Sequence, residues 1–358
     1  MSATTGIEWT ERTWNPLVGC EYVSAGCAGC YAAREAAGRL SGTALYAGLT
    51  YRPEGRLPRF TGEVRTVEAR VEQPLHWTKP RKVFVNSMSD LFHDEVPDEF
   101  IARVFAVMGL AEWHTFQVLT KRPQRMARLL ASPEFREAWL AARDELAMTA
   151  HIQRLVRRGV VSLAVSYPLP NVWLGTSVEN DRYARIRIAP LLATPAAVRW
   201  VSVEPLLGPV SLAPWLDRDW IGSAAGGSGA PHPLLDWVVV GGESGPRARP
   251  MDREWVRTIR DDCAREGVPF LFKQWGEWLP CSSPVSVDCD GIGDLVYAGD
   301  GSSWPDGPLA GLVRWWEWNG EDNARGEHRW PDGSTSVRVG TKPAGRLLDG
   351  VVHDEYPA

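Results

Sequence analysis

The sequence predicts an α/β protein built on a partial or complete (β/α) barrel. Short apolar runs of strand length alternate with amphipathic helical stretches, roughly seven times over. Each apolar run is followed by a cluster of polar residues, which is where parallel α/β architectures place their ligands. The length of 358 residues exceeds an ordinary single domain but accommodates one barrel with insertions. An open doubly wound sheet is the alternative arrangement of the same elements.

In chain order, a first strand is expected before Cys20. The segment from Trp14 to Tyr31, WNPLVGCEYVSAGCAGCY, places three cysteines within eleven residues, with glycine at 19, 26 and 29. Glycine permits a tight loop in which Cys20, Cys27 and Cys30 converge, and Tyr31 opens an alanine-rich helix. Three thiolates without a nearby histidine are one ligand short of a closed tetrahedral zinc site. They suit an iron–sulfur cluster whose fourth iron stays open to a small molecule.

Residues 41–80 are proline-punctuated, with TGEVRTVEARVEQPL reading as a short strand and a helical turn. KVFVNSMSD is a buried strand with a polar end. PDEFIARVFAVMGL is a helix with Pro97 in its first turn and Phe100, Ile101, Val104, Phe105 and Met108 on one face. The unit then repeats as TFQVLT with PQRMARLLA, NVWLGTS with NDRYARIRIAPLLA, VRWVSV, DWVVVGG with DREWVRTIRDDCARE, and PFLFKQ. Continuous apolar strands of this kind belong to a parallel sheet covered by helices.

Residues 134–170 interrupt the repeat as a charged helical insertion, and GSAAGGSGAPHP at 221–233 has linker composition. The barrel region therefore spans 1–279. Residues 280–340 form a small appended module in which RWWEWNG suggests a strand or hairpin, and 341–358 is a tail that returns to the barrel.

The strand ends offer Asn86, Ser87, Ser89, Asp90 and His93; Thr120, Lys121 and Arg122; Thr176, Ser177, Glu179 and Asn180; Glu204; Glu243 and Ser244; and Lys273 and Gln274. One such residue, Asp90 or Asn180 for instance, is as readily a helix cap. Six strand ends together favour a cavity. Lys121, Arg122, Glu204, Glu243 and Lys273 are expected to share it, with the cations attracting a phosphate or carboxylate. A solvated basic face is the competing reading.

Cys263 sits with Val256, Ile259 and Arg260 at helical spacing and reads as a buried small hydrophobe. Cys281 and Cys289 fall in a loop without a matching ligand pair. A net charge of −5 argues against coating nucleic acid by bulk electrostatics, and six cysteines at this length are no disulfide framework. SATTGIEWTERTW has neither the basic start nor the apolar run of a signal peptide, so a cytoplasmic protein is expected. No apolar run reaches the roughly 20 residues of a membrane span. The eighteen tryptophans are scattered, and burial accounts for them better than base stacking does.

The spacing C-x6-C-x2-C followed by Tyr resembles the radical S-adenosylmethionine (SAM) motif, whose commonest form is C-x3-C-x2-C. With SMSDLFH, LTKRP, LGTSVEN, SVEPLLGP, GGESGP and FKQWG, the chain resembles a phage-associated three-cysteine family of unknown function. That family is distantly similar to spore photoproduct lyase. The resemblance implies a barrel of the radical SAM type. It further implies a [4Fe-4S] cluster on Cys20, Cys27 and Cys30 and SAM on the open iron. The implied product is a 5′-deoxyadenosyl radical, which would act on an unknown substrate of nucleic-acid or nucleotide kind.

Gly-Gly-Glu is also the superfamily's contact to the SAM amino group, at the end of the second strand. GGESGP follows about the sixth, so the second-strand role falls to Ser87, Ser89 and Asp90. Glu204 and Glu243 are left to face ribose or substrate, Lys121, Glu243 and Lys273 are the candidate catalytic groups, and His93 is a candidate proton carrier. A glycine turn with Glu243 capping the next helix is the plainer reading of GGESGP. The expected partners are SAM, the substrate and a further protein, with no membrane. A non-catalytic zinc-binding or DNA-associated phage protein is the alternative function, and it requires a fourth ligand from Cys281, Cys289 or His93.

Overall fold

Alternate residues of each strand face opposite ways, and here both faces are apolar. A computed structural model describes residues 5–164, 166–217, 234–281 and 326–357. The strands β1 (Arg12–Trp14), β2 (Lys82–Val85), β3 (Thr115–Thr120), β4 (Val172–Ser177), β5 (Val198–Val203), β6 (Trp237–Gly241) and β7 (Phe270–Gln274) form one sheet. All its pairings are parallel, and its spatial order is the chain order.

That order excludes the doubly wound alternative, in which the strand sequence reverses at a switch point. Crossovers between successive parallel neighbours are right-handed as a rule, which carries the connecting helices to one face of a half-barrel sheet. The barrel is partial, since β1 and β7 are the two edges of the sheet and do not pair with each other.

The outer face carries Val83, Val85, Phe116, Val118, Val201, Val203, Val238, Val240, Phe270 and Phe272, packed in one core with the helices. Those helices include α2 (Asp98–Leu110), α3 (Pro123–Ala131), α4 (Pro133–Ala147), α5 (Ala150–Arg157), α6 (Asp181–Leu192) and α7 (Arg253–Glu266), whereas α1 (Tyr31–Ala37) packs in a separate cluster. Pro97 is the N-cap of α2 rather than a residue of its first turn. The charged insertion is α4 and α5, started by Ser132 and Thr149 side chains that accept from Phe135 N and Ile152 N. Phe135 of α4 meets Phe105 of α2 edge-on at 5.5 Å.

The inner face is filled by tryptophan. Trp173, Trp200, Trp237, Val239 and Leu271 form a separate cluster with Trp9, and the Trp9 ring lies 5.2 Å from that of Trp200. Gly175 stands beside Trp200 in the ladder, and a Cβ there would lie 2.5 Å from the indole. The missing side chain is what admits the ring. This plug occupies the start of the strands and leaves the carboxyl ends for a cavity.

Trp278–Cys281 (β8), Glu327–Arg329 (β9) and Thr335–Arg338 (β10) make an antiparallel sheet in the order β8-β10-β9. Cys281 therefore ends a strand rather than lying in a loop. Cys289, RWWEWNG and GSAAGGSGAPHP lie outside the described residues. The tail runs antiparallel along the free edge of β7, where Phe272 N donates to His353 O at 3.0 Å. Tyr356 then stacks on Trp237 at 5.2 Å and carries the Lys82 ammonium 3.6 Å from its ring centre, so it joins β6 to β2 across the open side. An edge covered in this way cannot template another strand. No helix among the described residues is long and apolar enough to cross a membrane.

Candidate cofactor site

The cysteine loop closes over the carboxyl ends of the strands. Its middle is a short 3₁₀ turn, Ala25–Cys27, in which Cys27 N donates to Ser24 O. Cys30 then caps α1, whose Ala32, Ala33 and Ala36 bury against Val18, Tyr46, Leu49, Phe60 and Met88.

Two carboxylates hold this loop from below. Glu179, just past β4, is fully buried and accepts from Ser24 Oγ at 2.6 Å, with Lys121 Nζ at 3.2 Å and Arg187 at 2.9 Å. Glu243, past β6, is paired through both oxygens with Arg249, which also donates to Ala25 O at 3.0 Å. A Cβ on Gly26 would lie 2.5 Å from Glu179 Oε1, and one on Gly29 would lie 2.7 Å from Glu243 Oε1. These glycines make room for glutamates rather than permit an unusual backbone. Arg34 of α1 donates to Ser244 O, so GGESGP is the cradle of the cysteine loop and Glu243 does not cap the next helix. Asp252 does that, accepting from Glu254 N.

Cys20, Cys27 and Cys30 all border one cavity of about 180 Å³, together with Asn86, Ser87, Ser89, Asp90, Lys121, Arg122 and Ser177. Burial, then the Asp90 carboxylate, pushes the Cys20 thiol up to about 12, and burial raises Cys30. Among the described residues no three His, Cys, Asp or Glu side chains are gathered to hold a single metal ion. The thiols thus surround a space rather than converge on one point, contrary to expectation. His93, an expected fourth ligand, is buried with its Nε2 3.5 Å from Glu21.

The expected SAM contacts at the second strand are committed elsewhere. Ser87 exchanges hydrogen bonds with the Asn15 amide, and Ser89 donates to Leu17 O. Asp90 accepts from Phe92 N, Thr120 Oγ1, Lys121 N and Arg122. Asn180 caps α6 through Tyr183 N.

The five charged strand-end residues do not share one cavity. Lys121 and Arg122 line it, while Glu204, Glu243 and Lys273 are absent from its walls. Glu204 pairs with Lys273 at 2.8 Å and accepts from Ser202 rather than from the amides that follow it. Burial alone would lower the Lys273 ammonium, and Glu204 more than reverses this. Arg125 is held by Asp98. Each of these cations therefore has a carboxylate beside it and none stands as a free positive charge, with Glu179 shared between Lys121 and Arg187.

Sequence reading passed over Ser24, Arg187 and Arg249, which no motif marks, and gave no role to Glu179 and Asn86, which it placed only as strand-end residues. Asn86 is 3% exposed, has φ 66°, and has no partner for either side-chain amide atom.

Fold and site together define a class: a parallel α/β half-barrel carrying a three-cysteine loop over the carboxyl ends of its strands. Residues 4–357 match the family described as Protein of unknown function (DUF5131), and the chain belongs to that family. No curated protein matches the chain, nor does any solved structure.

Proposed function

We propose that this is a radical-SAM-like iron–sulfur protein in which Cys20, Cys27 and Cys30 hold a [4Fe-4S] cluster and SAM occupies the remaining iron. The observation that carries the reading is that Cys20, Cys27 and Cys30 border one cavity at the strand carboxyl ends. Held there and reduced, such a cluster would supply the one electron that breaks a C–S bond of SAM, releasing methionine and leaving a carbon radical able to take hydrogen from a substrate.

The chain's own contribution is positional. Glu179 and Glu243 set the loop height from two different strands, and Ser24 and Arg249 transmit it. Phe60, Phe84 and Leu119 give the cavity apolar walls that exclude water. The tryptophan plug closes its floor.

Anaerobic reconstitution with iron and sulfide, followed by reductant and SAM, tests this. The expected results are a brown protein, an EPR signal perturbed by SAM, and 5′-deoxyadenosine by mass spectrometry. A colourless, zinc-replete protein that makes no 5′-deoxyadenosine overturns it.

A further inference from the structure

We infer that Asn86 reads the hydrogen-bonding edge of an adenine ring bound in the cysteine-lined cavity. The inference deepens the proposed function, since it rests on an adenosyl ligand in that cavity. Asn86 follows β2, lines the cavity, and is 3% exposed with both Oδ1 and Nδ2 unpartnered among the described residues. Buried amide groups without partners are costly. Asn86 bears that cost in the wall of the cavity, which is the mark of a side chain held ready for a ligand.

The neighbours decide the ligand's chemistry. Of the cations in the lining, Lys121 is held by Glu179, Arg122 by Asp90 and Glu21, and Arg59 lies over the Tyr22 ring. Asn86 is a neutral carboxamide whose unpartnered atoms offer one acceptor beside one donor. Its complement is a neutral edge with a donor beside an acceptor. Adenine presents this as N6–H next to a ring nitrogen, the pairing asparagine makes in base recognition. Tyr22, Phe60 and Phe84 in the same lining supply flat apolar surface for the ring. The adenine belongs either to SAM or to a nucleoside substrate.

The test is equilibrium dialysis of the full chain, purified anaerobically with its iron, against S-adenosylhomocysteine, adenosine, inosine and methionine. Asn86→Gly and Asn86→Asp are the variants because both tolerate the left-handed backbone, and unchanged melting temperatures verify their folding. Adenosine and S-adenosylhomocysteine are expected to weaken about tenfold or more in Asn86→Gly. Inosine, which has a carbonyl in place of the N6 donor, should bind weakly to both forms. Adenosine excluded by saturating S-adenosylhomocysteine assigns the edge to the cofactor, and adenosine binding beside it assigns the edge to a substrate. Unchanged adenosine affinity in both variants overturns the inference, as does loss of methionine binding alone or a wild type that binds no adenosine. Iron measured on the same samples separates this from failure of the cluster reading, which would show as iron-free protein whatever the nucleoside result.

Discussion

The Ser24 hydroxyl donates to the fully buried Glu179 carboxylate at 2.6 Å, tying the cysteine loop to a strand end 155 residues away in sequence. Lys121 and Arg187 complete the site, and Gly26 lies against the same carboxylate. The position of all three thiols over the cavity thus depends on a residue that carries no thiol.

Gly26→Ala should therefore impair cluster loading without unfolding the chain. Its Cβ would sit 2.5 Å from Glu179 Oε1, and the Glu179 carboxylate is pinned by three partners, two of them on that oxygen, so the loop must rise. Iron per chain after reconstitution should fall severalfold while far-ultraviolet dichroism is retained. Gly42→Ala, where a Cβ meets nothing within 4 Å, is the control. Equal iron in the two variants would refute this account of the loop.

Cys20→Ala, Cys27→Ala and Cys30→Ala should each abolish iron and sulfide binding. Cys263→Ala should retain both, because Cys263 is fully buried in the helix-side core next to Val256 and Ile259. Its cost is a small cavity worth about 1 kcal/mol in denaturant unfolding. Full iron content in any of the three loop variants removes that cysteine from the ligand set.

Gly175→Ala should destabilise the half-barrel by about 1–3 kcal/mol through overpacking against Trp200. Combining it with Trp200→Phe should cost less than the sum of the two changes, because the smaller ring frees the space. Strict additivity in urea denaturation would show that the contact is not what constrains position 175.

Burial lowers the imidazole of His114 below its usual range, and His93 is lowered by burial and then by Arg122. The unfolded chain consequently binds protons before the folded one. Their contribution to stability is full above the unfolded value, about 6.5, and is lost as pH falls below it towards the folded values. His114→Gln should flatten the fall in melting temperature between about pH 7 and pH 5 relative to the parent. A parallel, merely offset pH profile would exclude His114 as a source of that dependence.

The strands and helices were legible because each is set by neighbouring residues. TFQVLT, VRWVSV and PQRMARLLA coincide with β3, β5 and α3 to the residue, since an apolar run with a polar break, or an apolar stripe at helical spacing, is complete within the segment. The cysteine loop was legible for the same reason. Cys263 too could be placed in the core from the period of its own helix.

What the sequence could not decide is which distant side chain each polar residue would meet. Lys121, Lys273 and Arg122 looked like free cations because Glu179, Glu204 and Asp90 reach them only after the sheet has brought separate strands side by side. Gly26 and Gly29 looked like flexible turn residues because the glutamates that require their small size lie more than 150 residues away. Whether the barrel closes was equally non-local, since it turns on whether β1 meets β7 and not on either strand alone. Local periodicity by itself specified the elements and the three-thiol loop. Tertiary structure decided strand order, charge pairing and the unpartnered Asn86, because each is a relation between segments that only the folded chain brings into contact.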